Sequence, residues 1–152
     1  MAIEIVRCEL PAHSLAIRTI RETVFVAEQG VPLALEMDDR DRICIHVLAL
    51  VDNCPAGTAR LDILKQGKIG RLAVLPAFRR QGLGQQIMQE IEAIGDQHQL
   101  PHLWCHAQKT AVAFYQSIGY TATGPDFLEA GIVHCKMQKT LRSQQPPGWP
   151  YA

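Results

Sequence analysis

From Leu83 onward, the apolar residues Leu83, Ile87, Ile91 and Ile94 recur at i, i+4, i+8 and i+11, while Gln85, Gln89, Glu92 and Asp96 take the opposite side. That period belongs to a helix with one buried stripe, lying on a sheet. Elsewhere the pattern changes. "IEIVRCEL" alternates and is rich in Ile and Val, which predicts a strand closed by Pro11. "HSLAIRTIRETVF" sets Leu15, Ile17, Ile20 and Val24 near helical spacing, with Ser14 as the N-cap. "EQGVPLALEMDDRD", with Gly30, Pro32 and an acidic run, reads as a long loop.

"ICIHVLALV" reads as a buried strand, "NCPAG" as a turn and "TARLDIL" as a second strand, which together suggest a hairpin. "GKIGRLAVL" is the third strand of this group. Beyond the long helix, "HLWCHA" is a buried strand, "KTAVAFYQSIG" a short helix, and "YTATG" and "IVHCKMQKTL" closing strands. The order predicts an α/β protein, a mixed sheet with helices on its faces. With 152 residues a single core suffices, so one domain is expected over residues 1–142. The tail, residues 143–152, carries three prolines and no periodicity, and is expected to pack loosely.

Charge and cysteine usage narrow the function classes. Fifteen Lys and Arg balance fifteen Asp and Glu, so no global field draws nucleic acid or an anionic membrane, and any anion site must be local. No apolar run reaches the ~18 residues of a membrane span, and "MAIEIVRCELPAHS" has charges where a secretory segment needs apolar residues. Five cysteines without C-x-x-C spacing suggest neither a disulfide framework nor a thiolate zinc site, so a reducing cytoplasm is the expected setting. His98, His102 and His106 recur every four residues, but Pro101 interrupts the helix that would align them, and no metal is expected. The run Glu36, Asp38, Asp39, Asp41 lacks the glycine of a calcium loop and reads as solvated.

The local anion site is offered by "RRQGLGQQ". The first N–H groups of a helix lack internal partners and carry partial positive charge, and a preceding glycine lets a ligand approach them without a Cβ in the way. Two nucleotide patterns fail here. Gly84 is followed by Gln85 and Gln86 rather than the Lys and hydroxyl of a P-loop. Ile87 stands where a dinucleotide fingerprint needs its third glycine, and Trp104 where it needs an acid.

The longer stretch "VLPAFRRQGLG" resembles the phosphate loop of the GNAT family of N-acetyltransferases, an apolar strand followed by [RQ]-x-x-G-x-[GA] and a helix, with Arg79, Gly82 and Gly84 at the signature positions. "AQKTAVAFYQSIGY" is similar to a second family segment, with Tyr115 and Gly119 matched and Gln108 standing where Asn is usual. "RETVFVAEQGVP" followed by "EMDDRD" resembles a bacterial subgroup of these enzymes, in which a recurring E-x-D-x-x-D run would order the acceptor-side loop, and "GIVHCKM" is similar to that subgroup and to glyphosate-type N-acetyltransferases.

The resemblance implies a mostly antiparallel sheet with splayed central strands and acetyl-coenzyme A as co-substrate, without a metal. The coenzyme site it implies comprises Leu72, Ala73, Val74, Arg79, Arg80, Gln81, Gly82, Leu83, Gly84, Gln85, Gln108 and Phe114. Loop amides would bind the pyrophosphate, and the N–H groups of Leu72 and Val74 would meet the developing oxyanion.

Acetyl transfer to an amine also needs a base for the amine and an acid for the departing thiolate. Tyr115 is the candidate acid, since a phenol with a pKa near ~10 is protonated at neutral pH. His134 in "GIVHC" is the candidate base, with Glu28 in reserve. Arg18, Arg21 and Arg71 are candidates for an anion clamp on the acceptor, as in the glyphosate-type enzymes, with surface solvation or pairing with Glu22 and Asp62 the competing fate of any one of them. The reading is an N-acetyltransferase acting on a small-molecule primary amine by direct attack in a ternary complex. A protein or peptide acceptor, a coenzyme A-binding sensor without turnover, and pairing of the chain as a homodimer stay open.

Overall fold

Alternating apolar positions build seven strands: β1 (Ile3–Cys8), β2 (Ile45–Val51), β3 (Cys54–Asp62), β4 (Lys68–Val74), β5 (His102–Gln108), β6 (Thr121–Glu129) and β7 (Ile132–Thr140). In the computed structural model, which describes residues 1–141, they form one sheet in the order β1-β2-β3-β4-β5-β7-β6. Every neighbouring pair is antiparallel except β4 and β5, as expected of a mixed, mostly antiparallel sheet. The expectation for the tail lies outside the described residues. No helix among those residues is long and apolar enough to cross a membrane.

Helices cover both faces. Helix α1 (Ser14–Arg21) runs on through a π-helical segment, Glu22–Glu28, and a short turn of helix, α2 (Leu33–Glu36), follows. Helix α3 (Leu83–Gln97) and helix α4 (Val112–Ser117) lie on the other face of the sheet. The α3 stripe Leu83, Ile87, Ile91 and Ile94 is at most 2% exposed, each side chain stabilising the fold by about 2 kcal/mol relative to exposure. Strand alternation sends Val47, Ala49 and Val51 into the α3 core and Leu48 into a second core with Ile17, Ile20 and Val24.

Three local expectations are corrected. Ser14 is the first residue of α1 rather than its cap; His13 takes that position with a left-handed φ of 58° and no side-chain bond. Leu15 is 78% exposed, because the buried stripe of α1 starts at Ile17. The hairpin turn is at Asp52–Asn53, whose positive φ values of 49° and 66° suit a two-residue connection, so β3 starts earlier than its Thr58-led pattern suggested.

Strand β4 holds the feature that shapes the site. Arg71 adopts φ 56°, a conformation that costs an L-residue roughly 1–2 kcal/mol. The pairing of β3 with β4 shifts register between Thr58 and Arg60. Ile69 and Ala73 would share a face on an unbroken strand. The extra residue inverts the parity, so Leu72 and Val74 pack with Ile69 towards α3 while Ala73 turns into the α1 core.

Candidate active site

Strands β4 and β5 pair only at Lys68–Trp104 and Ile69–Cys105, then diverge. The splay opens a cleft of about 1010 Å³. Leu75 donates its N–H to Ala56 O at 2.8 Å, towards β3. By alternation the amides of Val74 and Leu72 face the opposite way, along the cleft edge of β4. Ala73 belongs to the cleft wall and is 3% exposed.

At one end of the cleft stands the glycine junction. Gly82 precedes α3 with φ 76°, and a Cβ there would meet nothing within 4 Å. A Cβ on Gly84 would come within 3.4 Å of the Phe114 ring. No side chain caps α3, and its first ladder bond is Gln86 N–H to Gly82 O at 3.2 Å, so the amides of the preceding turn lack helical partners. Gly82, Leu83, Gly84 and Gln85 line the cleft there, as does Arg80, which makes no ion pair among the described residues.

Arg79 also lines the cleft, yet its guanidinium is committed to the fold. Nε donates to Val74 O at 2.8 Å, and the two terminal nitrogens bind Glu28 at 2.9 and 2.5 Å. Glu28 therefore serves Arg79 and is absent from the cleft wall; the hydrogen bond from Arg79 holds its carboxyl below the usual range. Gln81 turns its amide back towards Ala77 O at 3.5 Å and is likewise outside the wall.

Midway lies Tyr115 of α4, 7% exposed. Its ring packs edge-on against Phe114 and Tyr120, and the phenol faces the Cys105 thiol in β5. Burial pushes its pKa well above the usual tyrosine value, so the hydroxyl stays a donor. Gln108 ends β5 in the cleft, where its amide donates to Gln29 Oε1 at 2.7 Å and ties β5 to the end of the π-helical segment.

His134 lies at the far end, 7% exposed on β7. Its Nδ1 is 2.7 Å from Ile132 O, an acceptor, so Nδ1 carries the proton and neutral His134 keeps its lone pair on Nε2. Two residues that the sequence did not single out as site residues join it. His106 Nδ1 is 3.0 Å from Glu129 Oε1, and Glu129 Oε2 is 3.7 Å from His134 Nε2. Burial disfavours the Glu129 carboxylate, but His106, with His134 and Lys68 nearby, holds its pKa below the usual range. The signal lay in β5, where Trp104, His106 and Gln108 share one face, but nothing local announces Glu129.

The three arginines of the expected clamp are not brought together. Arg18 is exposed on α1 and pairs with Glu22 at 2.8 Å. Arg21 is 1% exposed and bonds Glu36 and Asp41, each at 2.6 Å. Arg71 lines the cleft, but donates to Leu35 O, Glu36 O and Asp38 at 3.2 Å. The acidic run, expected to be solvated, is what neutralises Arg21 and Arg71: Glu36 is 3% and Asp41 9% exposed, and Arg60 also binds Asp38 and Asp41. Burial works against the Asp38 carboxylate, yet Arg60, backed by Arg71, holds it down at about 2. Burial pushes Glu36 up despite its arginine partners.

The sequence matches the model of an acetyltransferase (GNAT) domain over residues 23–141. It is 38% identical over 124 residues to BSU40680 of Bacillus subtilis (strain 168), covering 79% of this chain and 84% of that one. Among solved structures, an acyl-CoA N-acyltransferase from Pseudomonas aeruginosa superimposes with a TM-score of 0.80 at 27% identity, over 91% of this chain and 100% of its own. ElaA of Escherichia coli also gives 0.80 at 27% identity, over 91% and 99%.

Proposed function

Because the chain belongs to the GNAT family and is an N-acetyltransferase, we propose that it moves an acetyl group from acetyl-coenzyme A to the primary amine of a small molecule, by direct attack with both substrates bound. The observation that carries this reading is the cleft where β4 leaves β5. One groove borders the α3 amides, the β4 edge, Tyr115 and His134.

The residues present suit the coenzyme. The uncapped first turn of α3, with open space above Gly82 and the Arg80 cation beside it, suits a pyrophosphate. The β4 edge suits the amide-bearing arm that joins the pyrophosphate to the thiol. Acetyl-coenzyme A brings an acetyl group activated as a thioester; the rest falls to the protein. Tyr115, kept protonated by burial, donates its proton to the leaving thiolate. The N–H groups of Leu72 and Val74 stabilise the developing oxyanion. His134 takes the amine proton at Nε2. Burial pushes the Cys105 thiol up to about 12, which disfavours an acyl-cysteine route and supports direct attack. The ion pairs of Asp38, Arg60 and Arg71 wall the acceptor end and favour a small acceptor.

The test is thiol release from acetyl-coenzyme A across a panel of amines and peptides, beside thermal shift with coenzyme A. Release with small primary amines is expected. Release with peptides alone would move the acceptor to the protein class, and stabilisation without release on any amine would favour a binding module.

A further inference from the structure

Glu129 has a carboxylate oxygen that the fold leaves unused. Oε1 accepts from His106 Nδ1 at 3.0 Å, whereas Oε2 accepts no hydrogen bond among the described residues and lies 3.7 Å from His134 Nε2, too far to bond. His134 Nδ1 already donates to Ile132 O, so in the neutral ring Nε2 is an acceptor too. Two acceptors thus face one another across a gap at the wall of the cleft, with Phe127 stacked on the His134 ring at 6.0 Å. The group that complements two such acceptors is a donor with at least two N–H bonds and a positive charge.

We infer that Glu129 Oε2 and His134 Nε2 together form the seat of the acceptor's primary ammonium group. This rests on the acetyl-transfer reading for its purpose, though not for the binding itself. Three strands build the seat: β5 supplies His106, which anchors Oε1; the end of β6 supplies Glu129; β7 supplies His134. The titratable groups around the carboxylate are His106, His134 and Lys68, the last facing it from β4. Glu129 holds the ammonium in its charged form. One N–H bond then breaks, its proton passes to His134 Nε2, and the electron pair left on nitrogen is free to attack. Glu129 thus selects amines that are cationic in solution, and His106 is a positioning residue that acts through it.

The experiment is a chemical-shift titration of the full chain with n-butylammonium at neutral pH, with n-butanol as the uncharged control, with and without coenzyme A. Wild type should show shifts at the Glu129 and His134 side chains. Glu129→Gln should weaken n-butylammonium binding about tenfold, the scale of one charge-assisted hydrogen bond, and leave n-butanol unchanged. His106→Asn, which keeps a donor, should retain affinity that His106→Ala loses. Equal n-butylammonium affinity in wild type and Glu129→Gln, or no selectivity over n-butanol in wild type, overturns the inference. Selective binding without thiol release on any amine would uphold the seat and remove the acetyl-transfer reading instead.

Discussion

The Arg21 guanidinium and the Glu36 carboxylate meet at 2.6 Å with 1% and 3% of their side chains exposed. Each is the other's substitute for water, and Asp41 completes the arrangement on the second nitrogen of Arg21. Breaking such a pair from one side leaves the buried Glu36 carboxylate only Arg71, at 3.2 Å, as a cationic partner among the described residues. Arg21→Ala is therefore expected to cost about 3–5 kcal/mol in urea denaturation. Adding Glu36→Gln should recover part of that loss by removing a stranded charge, and a loss below ~1 kcal/mol, the scale of an exposed pair, would contradict the burial.

Acid should act through the same network. The Asp38 carboxyl lies at about 2 in the folded chain against an ordinary 3.8. Its contribution is complete above the ordinary value and is lost as pH falls towards 2, because the unfolded chain takes up the proton first. Asp41 and Asp62 are lowered too and act in the same direction, while the raised Glu36 opposes them. The urea midpoint should fall between pH 3.8 and about 2, and Asp38→Asn should flatten that fall.

Tyr115→Phe should lower kcat about a hundredfold and leave the affinity for coenzyme A near that of wild type. Since burial raises the phenol pKa, no alkaline loss of kcat from this group is expected below the ordinary tyrosine value near ~10. Unchanged turnover in Tyr115→Phe would remove it from the chemistry.

The two glycines should separate backbone strain from ligand fit. Gly84→Ala places its Cβ 3.4 Å from Phe114, an ordinary contact, so coenzyme A affinity should drop while the melting temperature barely moves. Gly82→Ala has open space but a φ of 76°, and should cost about 1 kcal/mol of stability as well. Calorimetric titration with coenzyme A beside thermal denaturation distinguishes the two.

The α3 stripe and the glycine junction were readable because their information is local: a 3.6-residue period within a few turns, and glycines at the mouth of a helix. The role of Arg21 is not legible in the sequence for the opposite reason. Its partners stand 15 and 20 residues away in a segment whose acidity suggests solvent, and only the fold shows that this segment packs inward. Glu129 reaches His106 across 23 residues and from the opposite side of β7, so no spacing rule links them. The parity inversion at Arg71 also left no trace, because an arginine in left-handed backbone carries no compositional mark.

Two register pairs are all that stitch β4 to β5, so the sheet behaves as two leaves, β1 to β4 and β5 to β6, sharing a short seam and clasped by α3 and α4. A guest lying along the open edge of β4 would act as a missing strand. Amide protons there should exchange freely with solvent in the empty chain and slow when the groove is filled. Filling the groove would then fuse the leaves into one cooperative unit, and the chain would unfold as a single body where it had two margins before.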